Sequence, residues 1–286
     1  MTTQYARPEY LVTAQWLNEH LADPQVRVLD TRSPALYEAG HIPGALLVDV
    51  RNLHPADTGP TAMHDWIARL EEACSVAGIT DRHQVVFYEE TSGEIAPRGV
   101  WALTYLGHGS VRLLDGGLTA WRAGGYAMSR SPSSVRRVVF RARPRPELVA
   151  TRECILEHLL SPTVRVLDVR RAAEYTGVEI RARRGGHIPG AIHHEWLHNL
   201  ADDGTYKRPG ELARAYAHLG LAAHQTIIPY CQHGYRSANT WLALTLLGYA
   251  HVRNYLGSWE EWGNHDGLPI ARNAPGRVAT VARNLP

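Results

Sequence analysis

The residue with the strongest chemical context in this chain is Cys231, which stands in a short loop between an apolar run at 227–230 and a helix-like run at 238–247. Backbone amides that converge in such a loop bind anions, and the positive end of the following helix dipole adds to that potential. Both effects favour the thiolate, the form in which cysteine acts as a nucleophile. We therefore expect Cys231 to be a nucleophile and Arg236 to add a permanent cation beside it.

The remainder of this loop supplies the parts that an anion site needs. Gly234 permits the tight backbone path that aims several amides at one point. Ser237 is expected to cap the following helix through its hydroxyl. Trp196 is a candidate for lining the pocket, and a tryptophan of the hydrophobic core is the alternative interpretation. The predicted substrate-binding and active-site loop consists of Gln232, His233, Gly234, Tyr235, Arg236 and Ser237.

The other candidate nucleophiles and ligands favour structural roles. Cys74 and Cys154 lie in helix-like segments, where a cysteine is usually a small buried hydrophobe. Three cysteines far apart in sequence argue against a disulfide framework and for a reducing compartment. The histidines and aspartates between positions 193 and 203 match no standard zinc spacing, so no metal site is predicted.

Composition narrows the class of protein. A chain of 286 residues that is 44% hydrophobic is long enough for two medium-sized domains with buried cores. The formal charge of +2, without any block of Lys and Arg, makes nucleic acid a poor candidate partner. The first residues lack the apolar core of a signal peptide, and no apolar run reaches membrane-spanning length. A cytoplasmic protein without a membrane partner is therefore expected.

Four sequence blocks occur twice in the same order, which indicates a duplicated domain. The paired blocks are 28–32 with 166–170, 40–45 with 186–191, 101–107 with 242–248, and 114–121 with 255–262. The second copy carries about eight extra residues, interpreted as an insertion around Thr176 to Arg184. Because both copies keep the Asp-x-Arg and His-Ile-Pro-Gly motifs, these motifs are expected to hold loops and turns rather than to act in catalysis.

Each copy alternates short apolar runs rich in β-branched residues with helix-like runs. The predicted strands are 26–29, 84–88, 164–167 and 226–230, and the predicted helices are 33–39, 63–77, 99–105, 209–219 and 238–247. This alternation predicts an α/β fold in which each copy is a parallel sheet flanked by helices on both faces. Ligand sites in such sheets lie beyond the carboxyl ends of the strands, which is where Cys231 falls.

The repeat also sets the expected domain boundaries. We predict a first domain at 1–128, a linker at 129–147, a second domain at 148–272 and a C-terminal tail at 273–286. The linker is rich in Arg, Ser and Pro, a composition typical of an exposed connection between domains. A basic strip that binds a partner is the alternative interpretation of this segment.

The paired Leu-Asp-x-Arg and Gly-His-Ile-Pro-Gly-Ala motifs, the cysteine loop and the late Gly-Ser-Trp-x-x-Trp-Gly block resemble the tandem rhodanese family, from about Tyr10 to Pro269. This family includes thiosulfate and 3-mercaptopyruvate sulfurtransferases, and the cationic loop is most similar to that of the bacterial thiosulfate enzymes. The resemblance implies two tandem rhodanese-like domains, of which the second is catalytic and the first a non-catalytic copy. Alignment of the repeated helices places Glu90 opposite Cys231 and Ile95 opposite Arg236, which predicts an inert first site.

The resemblance also implies a ping-pong reaction that moves a sulfane sulfur from thiosulfate to cyanide or a thiol, with a protein as a further candidate acceptor. Cys231 would carry the sulfur as a persulfide, Arg236 would neutralise the anionic donor, and no metal or organic cofactor would be needed. The chain departs from the vertebrate thiosulfate enzymes at three positions. It has Gln232 and His233 where they have two basic residues, and Pro189 where they have a substrate-binding arginine.

Three alternatives remain at this point. A 3-mercaptopyruvate sulfurtransferase is the first, although such enzymes tend to have a small neutral loop after the cysteine. A Cdc25-like phosphatase shares the domain but needs one more residue between cysteine and arginine, because phosphate must fit inside the ring of amides. A non-catalytic rhodanese binding module is the third, and it is expected where the cysteine has been lost.

Overall fold

The computed structural model describes residues 4–55, 57–159 and 161–272, so the predicted tail at 273–286 lies outside the described residues. The described strands are β1 (Leu11–Val12), β2 (Val26–Asp30), β3 (Leu46–Leu47), β4 (Gln84–Tyr88), β5 (Val111–Leu114), β6 (Val149–Ala150), β7 (Val164–Asp168), β8 (Ile192–His193), β9 (Thr226–Tyr230) and β10 (Asn254–Tyr255). The described α-helices are α1 (Ala14–His20), α2 (Pro34–Ala39), α3 (Pro60–Val76), α4 (Ile95–Tyr105), α5 (Gly117–Ala123), α6 (Arg152–Glu157), α7 (Ala172–Thr176), α8 (Pro209–His218), α9 (Arg236–Leu246) and α10 (Ser258–Asn264).

Both copies build the same parallel sheet. In the first copy the strand order is β1-β5-β4-β2-β3, and each pair is parallel. In the second copy β8-β7-β9 and β10-β6 are parallel sets, joined by a parallel bridge between Ile227 and Val252. Parallel neighbours need crossover connections, which the intervening helices supply. The predicted α/β fold is therefore confirmed.

Helices cover both faces of each sheet because alternate strand residues point to opposite sides. In β4, Val86 and Tyr88 pack in a cluster with residues of α1 and α5, such as Leu17 and Trp121. The intervening Val85 and Phe87 belong to a second cluster that contains residues of α3 and α4. Strand β9 divides in the same way between two clusters. Each sheet is thus buried on both faces, which accounts for its nearly continuous apolar strands.

The two copies meet along α4 and α9, and every residue of these two helices is buried. One hydrophobic cluster runs from the first copy into the second through this contact. The amide Nδ2 of Asn239 on α9 donates hydrogen bonds to the carbonyl oxygens of Ser92 and Gly93, at 2.9 and 2.7 Å. Glu261 accepts a hydrogen bond from the hydroxyl of Thr58 at 2.9 Å. These contacts hold the first copy against the side of the second that carries Cys231.

The repeated Asp-x-Arg motifs have the structural role that was predicted for them. In the first copy the Arg32 guanidinium forms an ion pair with Asp30 at 2.6 Å and donates to the Gly40 carbonyl at 2.8 Å. The second copy repeats this arrangement with Arg170, Asp168 and Gly186. The His-Ile-Pro-Gly segments are held by antiparallel bridges from His41 to Ser129 and from His187 to Ala271. These pairs fix the loop that follows β2 or β7 in each copy.

The segment between the copies runs along the first one. The amide of Val138 donates to the Ser75 carbonyl and that of Arg143 to the Leu106 carbonyl, and Phe140 is buried. Nothing in the described ranges forms a helix that is both long and apolar enough to cross a membrane.

Candidate active site

Cys231 lies directly after the carboxyl end of β9, and α9 begins at Arg236. The Cys231 side chain is almost fully buried, with 1% of its surface exposed. Its Sγ accepts a hydrogen bond from the Gly234 amide at 3.2 Å and lies 3.7 Å from the Ser237 hydroxyl oxygen. The sulfur therefore sits at the amino-terminal end of a fully buried helix, where the helix dipole stabilises an anion.

The loop depends on Gly234, as the sequence predicted. Its φ is +80°, in the left-handed region that favours glycine, and a Cβ there would lie 2.9 Å from the Leu256 carbonyl oxygen. Among the loop amides that the structure describes, that of Gly234 is the one within hydrogen-bonding distance of the sulfur. The predicted ring of several amides is therefore not formed around Sγ itself.

The predicted capping role of Ser237 is wrong. Helix α9 starts at Arg236, two residues before the predicted start at 238, and the residue at its N-cap, Tyr235, makes no side-chain capping bond. The Ser237 hydroxyl instead donates to Asn254 Oδ1 at 2.7 Å, and Asn254 Nδ2 donates to the Gly234 carbonyl at 3.1 Å. Ser237 and Asn254 thus hold the backbone of the loop at Gly234. Sequence reasoning did not identify Asn254.

Ser258 holds the backbone of the nucleophile, a role that sequence reasoning also missed. Its hydroxyl accepts a hydrogen bond from the Cys231 amide at 3.1 Å and donates to the Tyr255 carbonyl at 2.8 Å. It is the one described non-glycine residue with a positive φ, at +52°. The first copy has Gly117 at this place, with a φ of +56°. Ser258 tolerates a strained backbone here because its hydroxyl gains two hydrogen bonds.

Arg236 lines the same cleft as Cys231, and its guanidinium is bound by Glu174, a partner that was not predicted. The guanidinium donates to both carboxylate oxygens, at 2.7 and 3.0 Å, and the exposed fractions of the two side chains are 10% and 0%. Burial opposes ionisation of Glu174, but the hydrogen bonds and charge of Arg236 prevail and lower its pKa to about 2. Sequence reasoning did not identify Glu174. A signal was available, because the first copy has apolar residues at both positions of this pair: Leu36 is equivalent to Glu174, and Ile95 is equivalent to Arg236.

An open cleft of about 390 Å³ leads to Cys231, and side chains from both copies line it. The first copy contributes Arg51, His54 and Glu94. The second contributes Arg181, Cys231, Gln232, His233, Tyr235 and Arg236. The Tyr235 hydroxyl donates to the Arg51 carbonyl at 2.5 Å, which connects the cysteine loop to the first copy. The residues from the first copy were not predicted, since only the packing of the two copies brings them to the cysteine.

At neutral pH the arginines carry the positive charge of this cleft. Burial lowers the pKa of His54 to about 3, and the charges of Arg98 and His233 act in the same direction. Burial also lowers the pKa of His233, against the opposing effect of Glu260. Both imidazoles are therefore neutral at pH 7. Arg51 and Arg181 remain partly exposed at the rim, with 64% and 41% of their side-chain surface accessible.

Two predicted residues have other surroundings. Trp196 is not among the side chains that line the cleft, and it packs partly buried against the hydrophobic core. The alternative interpretation of Trp196 as a core residue describes its position. The side-chain amide Nε2 of Gln232 donates hydrogen bonds to the Arg181 carbonyl at 2.9 Å and to the Glu260 carboxylate at 3.0 Å. Gln232 thereby connects the inserted segment of the second copy to the cysteine loop.

Glu89, not Glu90, occupies the place of Cys231 in the first copy. Strand β4 ends at Tyr88 and α4 begins at Ile95, so this loop is one residue longer than that between β9 and α9. The Glu89 carboxylate accepts hydrogen bonds from the amides of Ile95 and Ala96, at 2.8 and 2.9 Å. Burial raises its pKa to about 7, although these two bonds act against the increase. A carboxylate thus fills the anion position, and Glu90 pairs with Arg122 instead.

Histidines 193, 194 and 198 do not assemble into a cluster of ligands. His193 Nε2 lies 2.8 Å from the Arg170 carbonyl, and the rings of His194 and His198 pack edge to face. Within the described ranges, no group of three or more His, Cys, Asp or Glu side chains is placed to hold a metal ion.

The fold and site define a class of protein: a duplicated parallel α/β domain with a single cysteine at the carboxyl end of a strand and the start of a helix. The rhodanese-like domain family matches residues 13–124 and 151–265. The chain therefore belongs to the rhodanese family and contains two rhodanese-like domains, as the sequence motifs predicted.

Individual relatives narrow the family. The sulfur carrier protein TtuD of Thermus thermophilus is 37% identical over 94% of this chain and 98% of its own. A thiosulfate sulfurtransferase of Corynebacterium glutamicum is 35% identical over 93% of this chain and 92% of its own. Among solved structures, SseA of Escherichia coli, described as a 3-mercaptopyruvate sulfotransferase, superimposes with a TM-score of 0.74 at 28% identity, over 87% of this chain and 98% of its own. The chain thus belongs to the thiosulfate and 3-mercaptopyruvate sulfurtransferase group.

Proposed function

We propose that this protein moves a sulfane sulfur from thiosulfate to a thiophilic acceptor through a persulfide on Cys231. The observation that carries the proposal is the position of the Cys231 sulfur, 3.2 Å from the Gly234 amide at the start of α9 and at the base of a cleft lined with arginines. This position suits a sulfur anion, both as the thiolate and as the terminal sulfur of a persulfide.

Each step of the proposed reaction is a displacement at sulfur. The Cys231 thiolate attacks the outer sulfur of thiosulfate, a new S–S bond forms, and the donor S–S bond breaks with its electron pair leaving on sulfite. Cyanide or a thiolate then attacks the terminal sulfur of the persulfide. The S–S bond between Cys231 Sγ and that terminal sulfur breaks, and its electron pair restores the Cys231 thiolate. Neither step consumes an oxidant or a reductant, so we propose that no metal or organic cofactor takes part.

The charges of the cleft favour thiosulfate over 3-mercaptopyruvate. Sulfite leaves as an anion and needs no proton, whereas the carbon released from mercaptopyruvate must gain one. The two imidazoles of the cleft, His54 and His233, have lowered pKa values and are poor proton donors at pH 7. Arg51 and Arg181 at the rim instead suit a dianionic donor. The similarity to SseA of Escherichia coli keeps 3-mercaptopyruvate as the alternative donor.

The donor assay tests this choice. With cyanide as acceptor, we expect kcat/KM for thiosulfate to exceed that for 3-mercaptopyruvate by about tenfold or more, a difference of about 1.4 kcal/mol in transition-state stabilisation. A ratio in the opposite direction would replace thiosulfate by 3-mercaptopyruvate in the proposal. Absence of turnover with both donors would remove the assigned activity.

Arg181 is expected to bind the donor, because it lines the cleft with 41% of its side-chain surface exposed, and its ion pair with Glu174, at 3.5 Å, is longer than the buried pair of Arg236, at 2.7 Å. Arg181→Met should raise KM for thiosulfate about fivefold with little change in kcat, as expected for a partly exposed cation worth about 1 kcal/mol. The matched control is Arg183→Met, since Arg183 lies in the same insertion, pairs with Asp266 at 3.2 Å and does not line the cleft. An equal rise in KM in both variants would show that general surface charge, not Arg181, attracts the donor.

The alternatives receive less support from the geometry. A phosphatase would need a free guanidinium for phosphate, and Arg236 is held by both of its terminal nitrogens on Glu174. A binding module without activity would not need the buried cysteine that Ser258 and Gly234 hold in place.

For the acceptor, the name of the Thermus thermophilus relative makes a protein thiol a candidate alongside cyanide and small thiols. A cytoplasmic location suits this chemistry, because a reducing compartment keeps thiols available.

A further inference from the structure

Arg98 is a buried cation at the contact between the two domains. It lies on α4, none of its surface is exposed, and Nε, Nη1 and Nη2 have no hydrogen-bond partner among the described residues. Its guanidinium lies 5.2, 4.6 and 5.7 Å from the ring centres of Trp66, Trp101 and Tyr235. Cation–π contacts stabilise such a group in part, but an unpaired buried charge is strongly disfavoured. A nearby anion would complete its surroundings.

The position of Arg98 points to the anion that it serves. One of its three rings, Tyr235, belongs to the catalytic loop, so Arg98 reaches from the first domain to the back of that loop. Asn239 has the equivalent place as the fourth residue of α9, and its amide reaches in the opposite direction to the carbonyl oxygens of the first loop. At this pseudo-symmetric contact, the neutral amide of Asn239 therefore lies against the loop of the first copy, whereas the cation of Arg98 lies against the loop that contains Cys231.

Other charges near Cys231 are either paired or exposed to solvent. The Arg236 guanidinium forms a buried ion pair with Glu174. At the rim, Arg51 lies 3.9 Å from Glu94 and Arg181 lies 3.5 Å from Glu174, and both arginines are partly exposed and therefore screened by water and salt. The titratable and charged groups packed around the cysteine loop are Arg51, His54, Glu94, Arg98, Glu174, Arg181, His233, Tyr235, Arg236 and Glu260. Within this set, Arg98 is the buried arginine for which the described residues provide no carboxylate.

We propose that Arg98 is the counter-ion of the sulfur anion, supplied across the domain contact by the first, non-catalytic domain. Arg98 acts on the reaction only through Cys231, by stabilising its thiolate, and does not contact the donor. The inference rests on the proposed use of Cys231 as a sulfur carrier, and it gives the inert copy a part in the chemistry.

The charge state of Arg98 is compatible with this role. Burial lowers its pKa to about 10, and the proximity of Tyr235 and Cys231 acts against that decrease. The guanidinium therefore remains charged at pH 7. By linkage, a cation that is favoured by a nearby thiolate favours that thiolate in return.

The test is the pH dependence of Cys231 alkylation by iodoacetamide, followed on the Cys231 peptide by mass spectrometry. In Arg98→Met we expect the midpoint of the rate profile to move up by about one pH unit, with an unchanged plateau at high pH. Below the midpoint this corresponds to about tenfold slower alkylation. The matched control is Asn239→Ala, which removes the equivalent contact without changing charge and should leave the midpoint in place.

A folded Arg98→Met protein with the wild-type midpoint would overturn the inference and leave Arg98 a purely structural part of the contact. If that variant does not fold, Arg98→Gln takes its place. The wild-type protein provides an independent measurement, because a buried counter-ion resists screening. A midpoint that stays constant from about 0.05 to about 1 M NaCl supports Arg98, and a rise of about one unit assigns the effect to the exposed arginines instead. Alkylation needs no sulfur donor, so failure of sulfur transfer and failure of this inference give different results.

Discussion

Replacement of Cys231 by serine is expected to reduce thiosulfate:cyanide turnover by about four orders of magnitude or more. A serine hydroxyl has nearly the same size, but it is not ionised at neutral pH and cannot form a persulfide. Because the Cys231 amide bonds to Ser258 through the backbone, the loop should keep its shape in the variant. The measurement is steady-state turnover, with thermal unfolding to confirm that the variant is folded.

The other two cysteines provide matched controls. Burial, with a contribution from Glu71, raises the pKa of Cys74 to about 12, so this thiol is a poor nucleophile at neutral pH. Cys154 lies on α6 and does not line the cleft. Cys74→Ser and Cys154→Ser should therefore both retain turnover. Persistent transfer in Cys231→Ser, or its loss in Cys154→Ser, would assign the sulfur to another residue.

Replacement of Glu174 by glutamine is expected to lower the free energy of unfolding at pH 7 by about 3 kcal/mol. The change leaves the buried Arg236 guanidinium without its counter-charge, and removal of one partner from a buried ion pair typically has an effect of this size. Urea unfolding at pH 7 measures it. The matched control is Glu179→Gln, because Glu179 pairs with Arg171 at the surface and should contribute less than about 1 kcal/mol.

The effect of Glu174 should depend on pH with a definite sign. Its pKa in the folded protein is about 2, below the ordinary value of 4.5, because the bonds from Arg236 outweigh burial. A carboxyl group with a lowered pKa contributes stability above its ordinary pKa, and that contribution is lost as pH falls toward the folded-state value. The stability difference between wild type and Glu174→Gln should therefore be constant from pH 7 to about pH 5 and shrink below about pH 4.5. A difference that does not change down to pH 3 would contradict the ion pair.

Much of the fold could be predicted because short apolar runs and the polar loops that end them mark the strands within the local sequence. The strands at Gln84–Tyr88 and Thr226–Tyr230 have the predicted bounds, since each is an apolar run that a loop with polar residues terminates. The starts of α4 and α9 were predicted too late, because neither helix has a side-chain cap that would mark its beginning. Gly99 was predicted as the first residue of the first of these helices, but it lies inside α4. A glycine is needed there because a Cβ would lie 2.5 Å from the Phe87 ring.

The site was predictable where it is continuous in sequence and not where it depends on packing between the domains. The cysteine loop is one segment, so its residues were found together. The first copy, which has no cysteine in the equivalent loop, supplies Arg51, His54 and Arg98, and no local pattern connects these residues to Cys231. The position opposite Cys231 was misassigned by one residue, because the two copies have loops of different length before equivalent helices.

The central claim, that Cys231 carries sulfur, is tested most directly by intact mass spectrometry of the wild-type protein before and after thiosulfate, and again after cyanide. We expect a gain of one sulfur atom, located on the Cys231 peptide, absent from Cys231→Ser and removed by cyanide. No gain of sulfur with either thiosulfate or 3-mercaptopyruvate would contradict the account, as would a gain located on Cys74 or Cys154.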